Sequence, residues 1–118
     1  MSPYLIMHFI PLTEFDFHHV LGETQGACLV MFTSPDCGTC RRIEQLLPTI
    51  SPPIVTGLYK VDVQQATAMA RQYDIFHLPT LFLYYNGQFH AKVECEVTPT
   101  KLKETIERAL AEPAEEEP

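Results

Sequence analysis

The chain is poor in positive charge. Eight Lys and Arg stand against fifteen Asp and Glu, a net charge of −7. A protein that grips phosphate needs the opposite balance, so no nucleic-acid partner is expected. No apolar run approaches the roughly 20 residues that a membrane-spanning helix requires, and no membrane partner is expected. Met1–Ile10 has no basic stretch ahead of an apolar one and no small-residue cleavage site. No secretory leader is read there, and the cytoplasm is the expected location. Structural disulfides are rare in that compartment, so the four cysteines read as chemistry plus bystanders rather than as a scaffold. No second closely spaced Cys pair exists, and His18-His19 are adjacent. A four-ligand zinc site is therefore not supplied, and no metal is expected. Internal repeats and a second domain are absent as well.

What is present suits one globular domain with a real core: 118 residues, 46% apolar and 19% charged. Ile6–Pro11 reads as a first strand. Thr13 with Asp16 reads as a capping box opening a helix, which Phe17, Val20 and Leu21 continue to Gly22 or Gly26. Cys28–Phe32 is a continuous apolar run, the pattern of a buried central strand. A helix is predicted from about Cys37 to Leu47, ended by Pro48 and Ser51-Pro52-Pro53. Leu58–Val63 is the next strand, and Ala66, Met69, Ala70 and Tyr73 mark a helix. Thr80–Tyr85 and Gln88–Glu94 form a hairpin about Asn86-Gly87. Thr98-Pro99 opens a last helix with Leu102, Ile106, Ala109 and Leu110 on its apolar face. Glu104 and Arg108 are placed to pair across one turn. The order β-α-β-α-β-α-β-β-α predicts an α/β fold, a mixed sheet with helices on both faces. The domain is expected to span 1–111. Residues 112–118, rich in glutamate, read as an acidic, disordered, solvating tail.

The chemistry is concentrated in Ser34-Pro35-Asp36-Cys37-Gly38-Thr39-Cys40. Strand, then CxxC, then helix is the setting of a redox motif. Unpaired N–H groups and the macrodipole at a helix N-terminus stabilise an anion, so Cys37 is the expected thiolate nucleophile. Cys40 is placed to attack the resulting mixed disulfide. Cys28, inside a strand, reads as a small hydrophobe. Arg41 and Arg42 read as charges on an exposed helix face.

Cys37-Gly38-Thr39-Cys40 after a hydrophobic strand, together with Asp74-Ile75-Phe76-His77-Leu78-Pro79-Thr80-Leu81-Phe82, resembles the thioredoxin-fold family over about Met7–Ala111. The resemblance implies that Pro79 is cis and packs beside Cys37, and that the backbone of Leu78 pairs with an extended polypeptide substrate. It implies a thiol-disulfide oxidoreductase acting on protein disulfides with no bound cofactor. The protein is expected to work as a monomer recharged by an external reductant, a thioredoxin reductase or another donor. The alternative is a thioredoxin-like adaptor whose dithiol is regulatory or vestigial. Family members usually carry Trp immediately before the first cysteine; here it is Asp36, and the chain has no Trp. Asp36, His77 near the proline, and Cys95 in the loop after the last strand are the candidate modulators. Cys95 is read first as a strand-end thiol and second as a regulatory thiol. Thioredoxins proper bury an acid where Met31 stands, with Leu58 aligned to its partner Lys. Two matched losses avoid a lone buried charge, so Met31→Asp is expected to destabilise the fold and to speed resolution. Glu44, one turn past Cys40, reads as a solvated residue and, secondarily, as a substitute base.

Overall fold

The computed structural model describes residues 7–118. Its elements are β1 (Phe9–Leu12), α1 (Phe17–Gly22), β2 (Ala27–Thr33), α2 (Gly38–Leu46), a 3-10 turn (Leu47–Thr49), β3 (Gly57–Asp62), α3 (Thr67–Gln72), β4 (Thr80–Tyr85), β5 (Gln88–Val93) and α4 (Pro99–Ala111). The expected order holds. Ile6 lies outside the described residues, and the first strand begins at Phe9. The sheet has five strands in the order β1-β3-β2-β4-β5. β3 runs parallel to β1 and β2, while β4 runs antiparallel to β2 and β5.

β2 is central and buried on both faces, which is why its sequence is continuously apolar rather than alternating. Leu29 and Met31 face Cys40 and Ile43 of α2 and Leu102 and Ile106 of α4. Val30 and Phe32 face Phe17 and Leu21 of α1 and Met69 of α3. On that second face Phe82 meets Phe32 and Tyr73 edge-on, with ring centres 5.1 and 5.6 Å apart.

Several local expectations are corrected. Thr13 and Asp16 do bond reciprocally: the Thr13 amide donates to Asp16 Oδ1 and the Asp16 amide to Thr13 Oγ1. They close a turn before the helix, so α1 starts at Phe17 with Asp16 as its N-cap. Pro48, lacking an N–H, ends α2 early and tightens the next residues into the 3-10 turn. Among the described residues Glu104 pairs with Lys101 at 3.7 Å rather than with Arg108. The hairpin has Asn86 and Gly87 both at positive φ, 50° and 82°, as a type I′ turn requires. Asn86 Oδ1 also accepts from the Gly26 amide at 2.8 Å.

Two placements bear on function. In register, Leu58 sits opposite Leu29, and the residue opposite Met31 is Lys60. Leu58 stands one pair along the same face from Met31, and the two share one core cluster. Residues 112–118 are exposed and irregular, but they are not detached as a disordered tail would be. The Glu115 amide donates to the His90 carbonyl at 2.7 Å, and the Lys92 amide donates to Glu115 Oε1 at 3.1 Å.

Candidate active site

β2 delivers the chain through Ser34-Pro35-Asp36 to the start of α2. The Cys37 amide donates to the Ser34 carbonyl, and Arg41 Nη1 donates to the Pro35 carbonyl at 2.7 Å, which ties this turn to the first turn of α2. Cys37 is the N-cap of α2, and its sulfur accepts from the Cys40 amide at 3.1 Å. The helix thus aims a free N–H at Cys37 Sγ, the arrangement that stabilises negative charge on sulfur. Cys37 is half-buried, whereas Cys40 is 1% exposed and packed against the α2–α4 core. The two are joined by a disulfide with Cα atoms 5.2 Å apart. One sulfur is reachable from solvent and the other is shielded.

The Leu78–Pro79 peptide is cis. Leu78 packs into both cores, and Thr80 Oγ1 donates to the His77 carbonyl at 2.6 Å. These contacts fix the loop ahead of β4. A cavity of about 340 Å³ is lined by Thr39, Ile43, Pro79, Glu94, Cys95 and Val97, among others. The second intervening residue of the cysteine motif, the proline and the third thiol therefore share one hollow. Cys95 is exposed and unbonded, while Cys28 is buried with its sulfur 3.7 Å from Thr56 Oγ1. His77 is exposed and lines a smaller cavity, about 110 Å³, with Pro79, Phe76 and Glu94. It is not among the residues lining the hollow that holds Cys95. Asp36 is exposed beside Cys37.

Sequence reasoning missed two residues near this site. Lys60 forms a close ion pair with Glu44, each side chain about two-thirds buried, on the sheet face beneath α2. Glu44 is thus not a freely solvated residue. The pair lines a cavity of about 570 Å³ with Arg41, Asp62, Thr33 and Pro35. The signal that could have found Lys60 is strand register, because residues 58 and 60 lie on one face and alternation cannot separate them. The second is Phe76, 80% exposed three residues before Pro79.

The family model named Thioredoxin matches residues 8–108. Thioredoxin 1 of Nostoc is 29% identical over 101 residues, covering 84% of this chain and 94% of that protein. Thioredoxin M-type of spinach chloroplasts is 26% identical over 91 residues, covering 75% of this chain and 50% of that protein. The chain spans about half the length of the chloroplast relatives it matches. Among solved structures, a mutant thioredoxin from Halobacterium salinarum superposes with a TM-score of 0.72 at 22% identity, covering 86% of this chain and 90% of that one. With its five-stranded mixed sheet, its Cys37–Cys40 pair at a helix start and this match across most of its length, the chain belongs to the thioredoxin family.

Proposed function

We propose that the protein is a thiol-disulfide oxidoreductase that reduces protein disulfides through Cys37 and Cys40. The observation that carries this reading is the asymmetric pair itself: a reachable Cys37 sulfur on the α2 N-terminus, bonded by the Cys40 amide, and a shielded Cys40. In the reduced protein the Cys37 thiolate attacks one sulfur of a substrate disulfide. A mixed disulfide forms and the first substrate thiolate leaves. Cys40 then gives up its proton and attacks Cys37 Sγ. The second substrate thiolate departs and the Cys37–Cys40 disulfide remains, two electrons having passed to the substrate. An external thiol or reductase must return them.

Leu78 and Pro79 are the proposed substrate-binding residues. An extended segment laid beside them gains main-chain hydrogen bonds in the manner of an added strand. Asp36 sets a carboxylate beside the Cys37 thiolate and opposes its formation by like charge. The test is insulin reduction with dithiothreitol. Wild type should precipitate the insulin B chain, Cys37→Ser should not, and Cys40→Ser should accumulate the mixed disulfide. Equal rates for wild type and Cys37→Ser would leave an adaptor role standing instead.

A further inference from the structure

β5 is an edge strand, bonded on one side to β4 and open on the other. Open edges present unpaired N–H and C=O groups that template pairing with another chain. Here the outward groups of His90 and Lys92 are taken by the chain's own residue 115. Its amide donates to the His90 carbonyl, and its carboxylate accepts from the Lys92 amide. A single residue of a parallel neighbouring strand would make the same two bonds, donating to one carbonyl and accepting from the amide two residues on. The carboxylate of Glu115 stands in for that neighbour's main-chain carbonyl. Being charged, it is the stronger acceptor.

Two residues further, on the same side of an extended chain, Glu117 Oε2 accepts from Tyr73 Oη at 3.3 Å. Tyr73 otherwise lies buried in the aromatic core at the end of α3. Beside it the buried Tyr84 hydroxyl faces the Tyr73 hydroxyl. A cavity of about 360 Å³ opens there, lined by Glu117, Tyr84, His18 and Phe89. The surface thus offers a strand edge and a phenol donor aligned to residues spaced i and i+2, with a hollow beside them. Pairing of two copies edge to edge fits it less well, because Tyr73 would lose its acceptor.

We infer that the outer edge of β5, with Tyr73, is a docking site for an extended acidic segment of another protein carrying carboxylates at i and i+2, which residues 112–118 occupy in cis. The tail is then a competitor that an incoming segment displaces.

The experiment uses the full chain and a fluorescein-labelled peptide with the sequence of residues 112–118. Fluorescence anisotropy is read against wild type and against the Glu115→Ala/Glu117→Ala double variant, whose own tail no longer competes. The double variant should bind the peptide at least about tenfold more tightly than wild type, the equivalent of about 1.4 kcal/mol. Replacing both corresponding peptide glutamates by glutamine should weaken binding by at least about tenfold, since two charge-assisted bonds are lost. Hydrogen exchange at the Lys92 amide should speed up in the double variant and slow again on adding peptide. The inference is overturned if the double variant shows no saturable binding. It is equally overturned if the glutamine peptide binds as well. Dimerisation of the double variant on sedimentation would also overturn it, by making a second copy the occupant.

Discussion

Cys37 and Cys40 stand three residues apart and differ in access. In the reduced protein Cys37 should be alkylated well before Cys40 near neutral pH, because one sulfur sits on the helix terminus and the other is 1% exposed. Iodoacetamide labelling of Cys40 first would overturn the assignment of the nucleophile. Met31 is fully buried, and Lys60 across from it is already held by Glu44. A carboxylate at position 31 must therefore either go unpaired or break an existing pair. Met31→Asp should cost about 3–5 kcal/mol, as an uncompensated buried charge does, while Met31→Leu should cost less than about 1.5 kcal/mol; urea midpoints compare them. The tyrosines behind the sheet set a further limit. Burial first, then the charge of Glu117, pushes the Tyr73 phenol from 10 up to about 12, and burial likewise raises Tyr84. Between those two pH values the unfolded chain has released the Tyr73 proton and the folded one has kept it. Stability should therefore fall as pH rises from about 10 to about 12. Tyr73→Phe should flatten that part of the curve in alkaline unfolding monitored by circular dichroism.

At the scale of elements, the hairpin about Asn86-Gly87 couples two parts of the chain. A Cβ on Gly87 would lie 2.6 Å from the Gly22 carbonyl oxygen at the end of α1, and the residue's φ is +82°. Gly87→Ala should destabilise by more than about 1 kcal/mol, whereas Gly22→Ala meets nothing within 4 Å and should cost less; thermal midpoints of the two variants decide it. This turn was legible in the sequence because Asn-Gly is the residue pair that tolerates its backbone. The same holds for α4, whose Thr98 cap and first-turn proline are read directly from the chain and observed, with Thr98 Oγ1 accepting from the Lys101 amide. The central strand was legible because a short, continuous apolar run that ends at a turn suits a strand buried on both faces. Lys60 was not, because a shift of two residues keeps every side chain on its face. The Glu44–Lys60 pair depends on where β3 sits along β2, and register is set by tertiary packing rather than by local pattern. The docking of residues 112–118 was hidden for a related reason. Composition marks a glutamate-rich segment as solvated, and it says nothing about two carboxylates meeting donors on an edge strand distant in sequence.

At the scale of the whole molecule, Cys95 is the exposed free thiol, and it shares a hollow with Pro79 and Thr39. Mild peroxide should give a band on non-reducing gels that wild type shows and Cys95→Ser lacks; the same pattern in both would leave it a strand-end thiol. The topology has a further result, concerning the order in which the protein is made. β2 leads directly into the cysteine motif, yet its two neighbours, β3 and β4, come later in the chain. On a ribosome adding about 5–20 residues per second, β2 waits several seconds for β4 to be made. During that interval Cys40 has no core to shield it, and both thiols meet the redox conditions of the compartment of synthesis unprotected. The oxidation state of the newborn protein is therefore set by its surroundings before the fold can assign different roles to the two sulfurs. Pulse alkylation of stalled nascent chains reads this directly: Cys40 should react in chains halted before Thr80 and resist in chains that have released α4.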